Sequence, residues 1–206
     1  EDLSYNGVML KIGLTGGIGC GKTVVANLFK RNWIEIIDAD EIAHKLVEPG
    51  KAGLNRIVDR FGTNILDPHG HLNRTALREL VFNSSQQRKS LEAILHPLIY
   101  QQIESELSRL RGPYCIVCVP LLLETGRKAL FDRILVIDCP VEMQVERVRI
   151  RDNLNHDQIV RILHSQAGRE ERLLTADDVI SNDADLASLD KQVEKLHNFY
   201  SEISKR

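Results

Sequence analysis

Apolar and polar positions change period several times along this chain, and each change marks an element. Residues 9–15 form an apolar run with one lysine, the pattern of a strand buried on both faces. Residues 23–31 switch to helical spacing, and 34–38 return to a short apolar run. From Glu41 to Leu110 the apolar residues recur at helical intervals, punctuated by Glu48-Pro49-Gly50, by Asp67-Pro68-His69-Gly70 and by Pro97. That segment is expected to be a set of short helices. Asn73 suits the cap of one ending at Phe82, and Pro97 suits the first turn of another ending near Leu110.

After Gly112-Pro113 the strand pattern resumes over 114–119 and again over 133–138. Helices follow over 141–151 and, as one piece, 157–174. Residues 178–181 form a last short strand and 186–203 a closing helix. Continuous apolar strands alternating with helices predict an α/β fold, a parallel sheet covered on both faces. Ligands in such sheets bind beyond the carboxyl ends of the strands.

The segment following the first strand carries the chemistry. Gly16, Gly17, Ile18, Gly19, Cys20, Gly21, Lys22 and Thr23 satisfy G-x-x-x-x-G-K-[ST], between a strand and a helix. Glycines let successive N–H groups turn inward on one anion, with no Cβ in the way. The helix N-terminus, opening over Lys22, Thr23 and Val24, adds partial positive charge. Lys22 supplies a cation for the β- and γ-phosphates, and the Thr23 hydroxyl a ligand for Mg²⁺. Asp38 and Asp40 close the second strand. In an extended chain they point the same way, one able to take a proton from an attacking hydroxyl and the other to orient Mg²⁺. Arg147 and Arg151, four apart on one helix face, are candidates for closing over the transferred phosphoryl group. Arg149 points elsewhere, and Arg169 and Arg172 follow in the next helix. The alternative for any of these arginines is a solvated face paired with Glu146, Glu170 and Glu171.

Composition narrows the field only modestly. At 206 residues, 43% hydrophobic and 27% charged, the chain suits one compact domain. A net charge of -2 gives no general attraction to nucleic acid or anionic membrane. Its longest apolar stretch, about ten residues, is short of the ~20 a membrane helix needs. Cys20, Cys115, Cys118 and Cys139 follow no disulfide framework and are expected to be reduced thiols of a cytoplasmic protein. The C-x-x-C pair Cys115 and Cys118 sits in an apolar strand and is expected to be core packing. The histidines show no zinc-ligand spacing. Residues 1–8 are set aside as a leader or expression remnant.

Taken in order, these residues resemble the dephospho-coenzyme A kinase family. The likeness runs from Met9 to Tyr200 and rests on the loop 14–23, on 37–40, and on Gly70 to Arg74. It continues through Leu95-His96-Pro97, through 119–124 with Pro-Leu-Leu-Leu-Glu, Gln166 with Arg169, and 176–182. It implies a phosphotransferase with an alcohol acceptor. The γ-phosphate of ATP, bound with Mg²⁺, passes to the ribose 3′-hydroxyl of 3′-dephospho-coenzyme A, the last step of coenzyme A synthesis. It implies a three-layer P-loop kinase fold over 9–206, with five parallel strands. The core would be 9–40, 113–146 and 173–206, with a helical acceptor-binding insertion at 41–112 and a lid at 147–172. Asp40 becomes the general base, Arg151 the lid arginine, and Asp38, Arg74 and His96 acceptor-binding residues. The implied partners are the two small molecules, with no nucleic acid or membrane, for a monomer or weak oligomer.

Two positions depart from the family pattern. Cys20 stands where serine is usual, which predicts thiol oxidation if that side chain is exposed near the cationic loop. His44 stands where arginine is common; if that arginine meets a substrate phosphate, the change predicts weaker or more pH-dependent acceptor binding. A nucleoside monophosphate kinase shares the loop, core and lid and is the nearest alternative. A GTPase switch is disfavoured because no [NT]-K-x-D segment occurs.

Overall fold

The computed structural model describes residues 9–82 and 84–205, without the Phe82 side chain. Residues 1–8, set aside above, lie outside the described residues. The described residues divide into two compact units, one of residues 9–38 with 110–205, the other lying within residues 39–109.

The first unit is a sheet with helices. β1 (Leu10–Gly16), β2 (Ile36–Asp38), β3 (Tyr114–Cys118), β4 (Arg133–Asp138) and β5 (Asp178–Ser181) lie in the order β2-β3-β1-β4-β5. Every pairing is parallel. β1 is central because Ile12 and Leu14 are wholly buried and pair on both sides, with β3 in register Leu14 to Cys118 and with β4 in register Gly16 to Ile137. The chain leaves β1 toward one edge and later crosses to its other side. The carboxyl end of β1 is therefore the switch point of the sheet. α1 (Lys22–Arg31) buries Val25, Leu28 and Phe29 against α9 (Leu186–Ile203), whose Tyr200 stacks on Phe29 at 6.4 Å.

After β4 come α6 (Val141–Asp152), α7 (His156–His164) and α8 (Arg169–Thr175), and Met143 of α6 packs against the same core as α1 and α9. The single helix expected over 157–174 is thus two. Its interruption at 165–168 has a tertiary cause: Ala167 N–H donates to Glu124 Oε1 at 2.7 Å, and its carbonyl accepts from the Arg172 guanidinium. These bonds take the Ala167 backbone out of a helical ladder.

The second unit is helical. α2 (Ala39–Leu46), α3 (Ala52–Phe61), α4 (Arg74–Phe82) and α5 (Ser85–Arg109) surround a core of Val47, Ile57, Ile65 and Leu77, with Leu91, Ile94 and Leu95 against it. Asn73 caps α4, its Oδ1 accepting from Ala76 N–H at 3.0 Å. Two expectations change here. Pro97 lies inside α5, which begins at Ser85, rather than in a first turn. It removes one backbone donor, and the packed residues on both sides, Leu91 and Ile94 before it and Tyr100 and Ile103 after it, keep the helix going. Secondly, Ala39 already belongs to a helix, so Asp38 ends β2 while Asp40 sits in the first turn of α2. The extended geometry that would aim both carboxylates alike is absent.

Among the described residues no helix is long and apolar enough to cross a membrane.

Candidate phosphate-binding site

The loop between β1 and α1 lies at the switch point, and its shape is set by what packs behind it. Gly21 has φ +92°, and a Cβ there would collide with the Asn182 side-chain amide. That amide is in place for a reason: its Nδ2 donates to the Cys20 carbonyl at 2.7 Å. Arg147 braces the same side, donating to Asn182 O at 3.0 Å and to Gly19 O at 3.5 Å. Two successive loop carbonyls, of Gly19 and Cys20, are thus held from behind, a disposition that leaves N–H groups for the opposite side.

At Gly17 a Cβ would lie 2.5 Å from Gln144 Oε1 and 2.9 Å from Arg172 Nη2. Gln144 is fully buried and donates its amide to Cys139 O at 3.2 Å, while its Oε1 has no hydrogen-bond partner among the described residues. Gln166, in the break between α7 and α8, accepts from the Ile18 N–H at 3.0 Å. Lys22 folds back over the loop, its Nζ donating to Gly16 O at 2.8 Å and to Gly17 O at 3.0 Å.

These groups suit a polyphosphate. α1 begins with no side-chain cap and no acidic residue in its first turn, so its N-terminal field is not neutralised locally. Arg172 is 8% exposed and its recorded partner is the Ala167 carbonyl, with no carboxylate paired to it among the described residues. A buried guanidinium without an anion is costly, and this one stands beside Gly17. The exposed Thr23 and Val24 open the helix beside it.

The other arginines take different positions. Arg169 grips Asp138, at the end of β4, through two bonds of 2.8 and 2.6 Å, and that hydrogen-bonded carboxylate holds its guanidinium more firmly protonated than usual. Arg149 pairs with Glu146 at 2.8 Å on an exposed face. Arg151 pairs with the adjacent Asp152 at 2.7 Å and its side chain is 62% exposed. The arginines that touch the loop are therefore Arg147 and Arg172.

Asp38 ends β2 in register with Cys118 of β3, two strands from β1, or roughly 10 Å. Asp40, Arg74 and His96 belong to the helical unit. Asp40 is exposed in the first turn of α2, Arg74 opens α4 on an exposed face, and His96 is half-buried within α5. His44 is exposed on α2.

The exposure on which the sequence makes Cys20 oxidation conditional is not found: the residue is 1% exposed, its side chain turned into the core beside Cys139. Cys115 and Cys118 are buried in β3, and none of the four cysteines forms a disulfide.

Pattern reading did not single out Gln144, and it quoted Asn182 only as part of a motif. A signal for Gln144 was present. It lies four residues before Val148 and shares its face, making it a polar side chain on the inward stripe of α6.

Comparison with known proteins agrees with this geometry. A family model described as dephospho-CoA kinase matches residues 10–188. A dephospho-CoA kinase of Methylococcus capsulatus is 48% identical over 193 residues, covering 94% of this chain and 98% of that one. The enzyme of that name from Coxiella burnetii is 47% identical over 197 residues, covering 95% and 99%. Among solved structures, dephospho-CoA kinase from Campylobacter jejuni superposes with a TM-score of 0.70 at 29% identity, covering 93% of this chain and 97% of that chain. A shikimate kinase from Acinetobacter baumannii, at 17% identity and a TM-score of 0.54 with 95% of each chain covered, shares the fold. Identity at this level over almost the whole length means that the chain belongs to the dephospho-CoA kinase family.

Proposed function

We propose that this chain transfers the γ-phosphate of ATP to the ribose 3′-hydroxyl of 3′-dephospho-coenzyme A, giving coenzyme A and ADP. The observation that carries the reading is the loop itself. Its Gly19 and Cys20 carbonyls are tied back by Arg147 and Asn182, and the Lys22 ammonium lies over Gly16 and Gly17. Such a cradle performs phosphoryl transfer by position and charge, because the reacting group has little covalent chemistry for the protein to do.

In this reading residues 16–24 bind the ATP phosphates, Lys22 and Arg172 neutralise them, and Thr23 would hold Mg²⁺. The metal, when bound, supplies further charge neutralisation on the phosphate oxygens. Asp40 takes the proton of the acceptor hydroxyl. Asp38 of the sheet unit and Arg74 and His96 of the helical unit recognise the acceptor, and residues 147–172 act as the lid that brings Arg151 to the transferred group. The setting is a reduced cytoplasm, and the working form a monomer or weak oligomer.

Steady-state assays with 3′-dephospho-coenzyme A, AMP, dTMP and dCMP as acceptors test the reading. Coenzyme A formation faster than any nucleotide phosphorylation is expected. Faster turnover of a nucleoside monophosphate would overturn it.

A further inference from the structure

Beneath the phosphate loop two thiols touch. Cys139, the residue after β4, donates its S–H to the Cys20 sulfur at 3.5 Å, and each residue is 1% exposed. The contact joins the loop to the end of the strand beside β1. The other two cysteines have no such arrangement with each other. Cys115 and Cys118 are three apart on one strand, so their side chains leave opposite faces.

Reactivity separates these thiols further. The hydrogen bond from Cys139 lowers the Cys20 thiol to about 7, and Lys22 and Arg172 help, against the opposing effects of burial and Asp138. The donor, Cys139, is correspondingly raised. Burial pushes Cys115 up to about 12. Within the touching pair, ionisation is therefore favoured at Cys20 and disfavoured at Cys139.

We propose that Cys20 and Cys139 are a redox pair that closes to an intramolecular disulfide on exposure to a peroxide, reversibly disabling the phosphate loop. The inference rests on reading that loop as the ATP cradle. The Cys20 thiolate attacks one peroxide oxygen, the O–O bond breaks, and the departing oxygen leaves as water after taking a proton. Cys20 is then a sulfenic acid. The Cys139 sulfur gives up its proton and attacks the Cys20 sulfur. The S–S bond forms, the S–O bond breaks, and hydroxide leaves with that proton as a second water. Two thiols and one peroxide become one disulfide and two waters, a two-electron oxidation of the protein.

Closure costs the loop its shape. A disulfide is about 2.05 Å long, so the sulfurs must approach by roughly 1.5 Å. The Cys20 carbonyl is tied to Asn182, and a Cβ at Gly19 would already lie 2.9 Å from Gln144 O, so the backbone has little slack on this side. Movement of Cys20 toward β4 disturbs the N–H groups that must converge on phosphate. Burial also means that peroxide reaches the pair only when the loop opens. Bound nucleotide holds it shut, so ATP at 100 times its Kd should slow oxidation about 100-fold.

The test begins with reduced, full-length protein and an ATP titration. Failure to bind at that step counts against the ATP-cradle reading, while peptide mapping still decides the thiol pair. Hydrogen peroxide in slight excess is then added, with and without ATP. The expected result is the loss of two hydrogen masses, a Cys20–Cys139 cross-linked peptide under non-reducing conditions, and ATP affinity weakened at least roughly tenfold. Dithiothreitol should restore that affinity. Cys139→Ser, whose hydroxyl can still donate to Cys20, should bind ATP normally when reduced and yield an oxygen adduct without the cross-link, while Cys139→Ala, which lacks the donor, should bind ATP normally and oxidise more slowly. Should both variants misfold, the wild-type mass and affinity measurements decide alone. Oxygen adducts without a cross-link in the wild type, a bridge to Cys115 or Cys118, or a cross-linked protein with unchanged ATP affinity would each overturn the proposal.

Discussion

Replacing Gly21 with alanine tests how the loop is held. The residue has φ +92°, where an L side chain costs about 1–2 kcal/mol. The new Cβ also meets the Asn182 amide, which must withdraw from the Cys20 carbonyl. A buried carbonyl left without its donor costs about 1–3 kcal/mol more. Gly21→Ala should therefore lose roughly 2–5 kcal/mol, a large share of the 5–15 kcal/mol typical of a domain. Asn182→Ala should lose about 1–3 kcal/mol, because it removes the same donor without the strained backbone. In the double variant the collision has no partner and the donor is lost only once. Its stability should match Gly21→Ala alone, giving a coupling of about 1–3 kcal/mol. Urea unfolding of the four proteins measures this, and ATP titration should show weakened binding in all three variants. Additive losses, or Asn182→Ala with unchanged stability and ATP affinity, would refute the idea that Asn182 braces the loop.

Three further outcomes are expected. Lys22→Ala should weaken ATP binding by about 10- to 100-fold and lower turnover with it, whereas Asp40→Asn should cut turnover by about 10²–10⁴ with ATP affinity preserved, as isothermal titration beside initial rates will show. Tyr200→Phe should cost about 1.5–3 kcal/mol in urea unfolding, since the buried hydroxyl donates to Asp178 at 2.8 Å and Asp178 also holds Arg133. Alkaline pH should destabilise the fold: burial raises Tyr114, Tyr200 and Cys115, so the unfolded chain ionises first, from roughly pH 8.5 for the thiol and 10 for the phenols, and binds fewer protons. Stability should fall as pH rises past those values, read as a dropping urea midpoint; a flat midpoint to pH 11 would contradict it.

Local pattern was enough for most of the sheet and for the loop. The strands over 114–118 and 133–138 are apolar runs with turn residues before them, and the loop motif lies between a strand and a helix, so near neighbours alone define them. The misread places depend on contacts from afar. Gly168, the cap of α8, is a weak local signal for the break in residues 157–174, and the distant contact that fixes it is Glu124 on the Ala167 N–H. Pro97 looks like a helix start until the packing of Leu91 and Ile94 extends α5 back past it. Asp38 and Asp40 resemble an extended pair because the strand-to-helix change at Ala39 has no glycine or proline to announce it. The roles of Asn182 and Gln144 beside the loop were hidden in another way: a motif held the one and an inward helix stripe the other, but their places beside residues 17–21 depend on chain remote in sequence.

The central position of β1 also bears on how the protein is made. Its two neighbours are strands that begin at Tyr114 and Arg133, so a chain leaving the ribosome carries its nucleotide loop long before anything exists to shape it. The helices of residues 39–109 pack mainly on one another and are complete before the first partner of β1 is synthesised. Contacts that close short stretches form ahead of those that close long ones. A nascent chain truncated shortly after residue 110 would then hold a formed helical unit and a phosphate loop with no capacity for ATP.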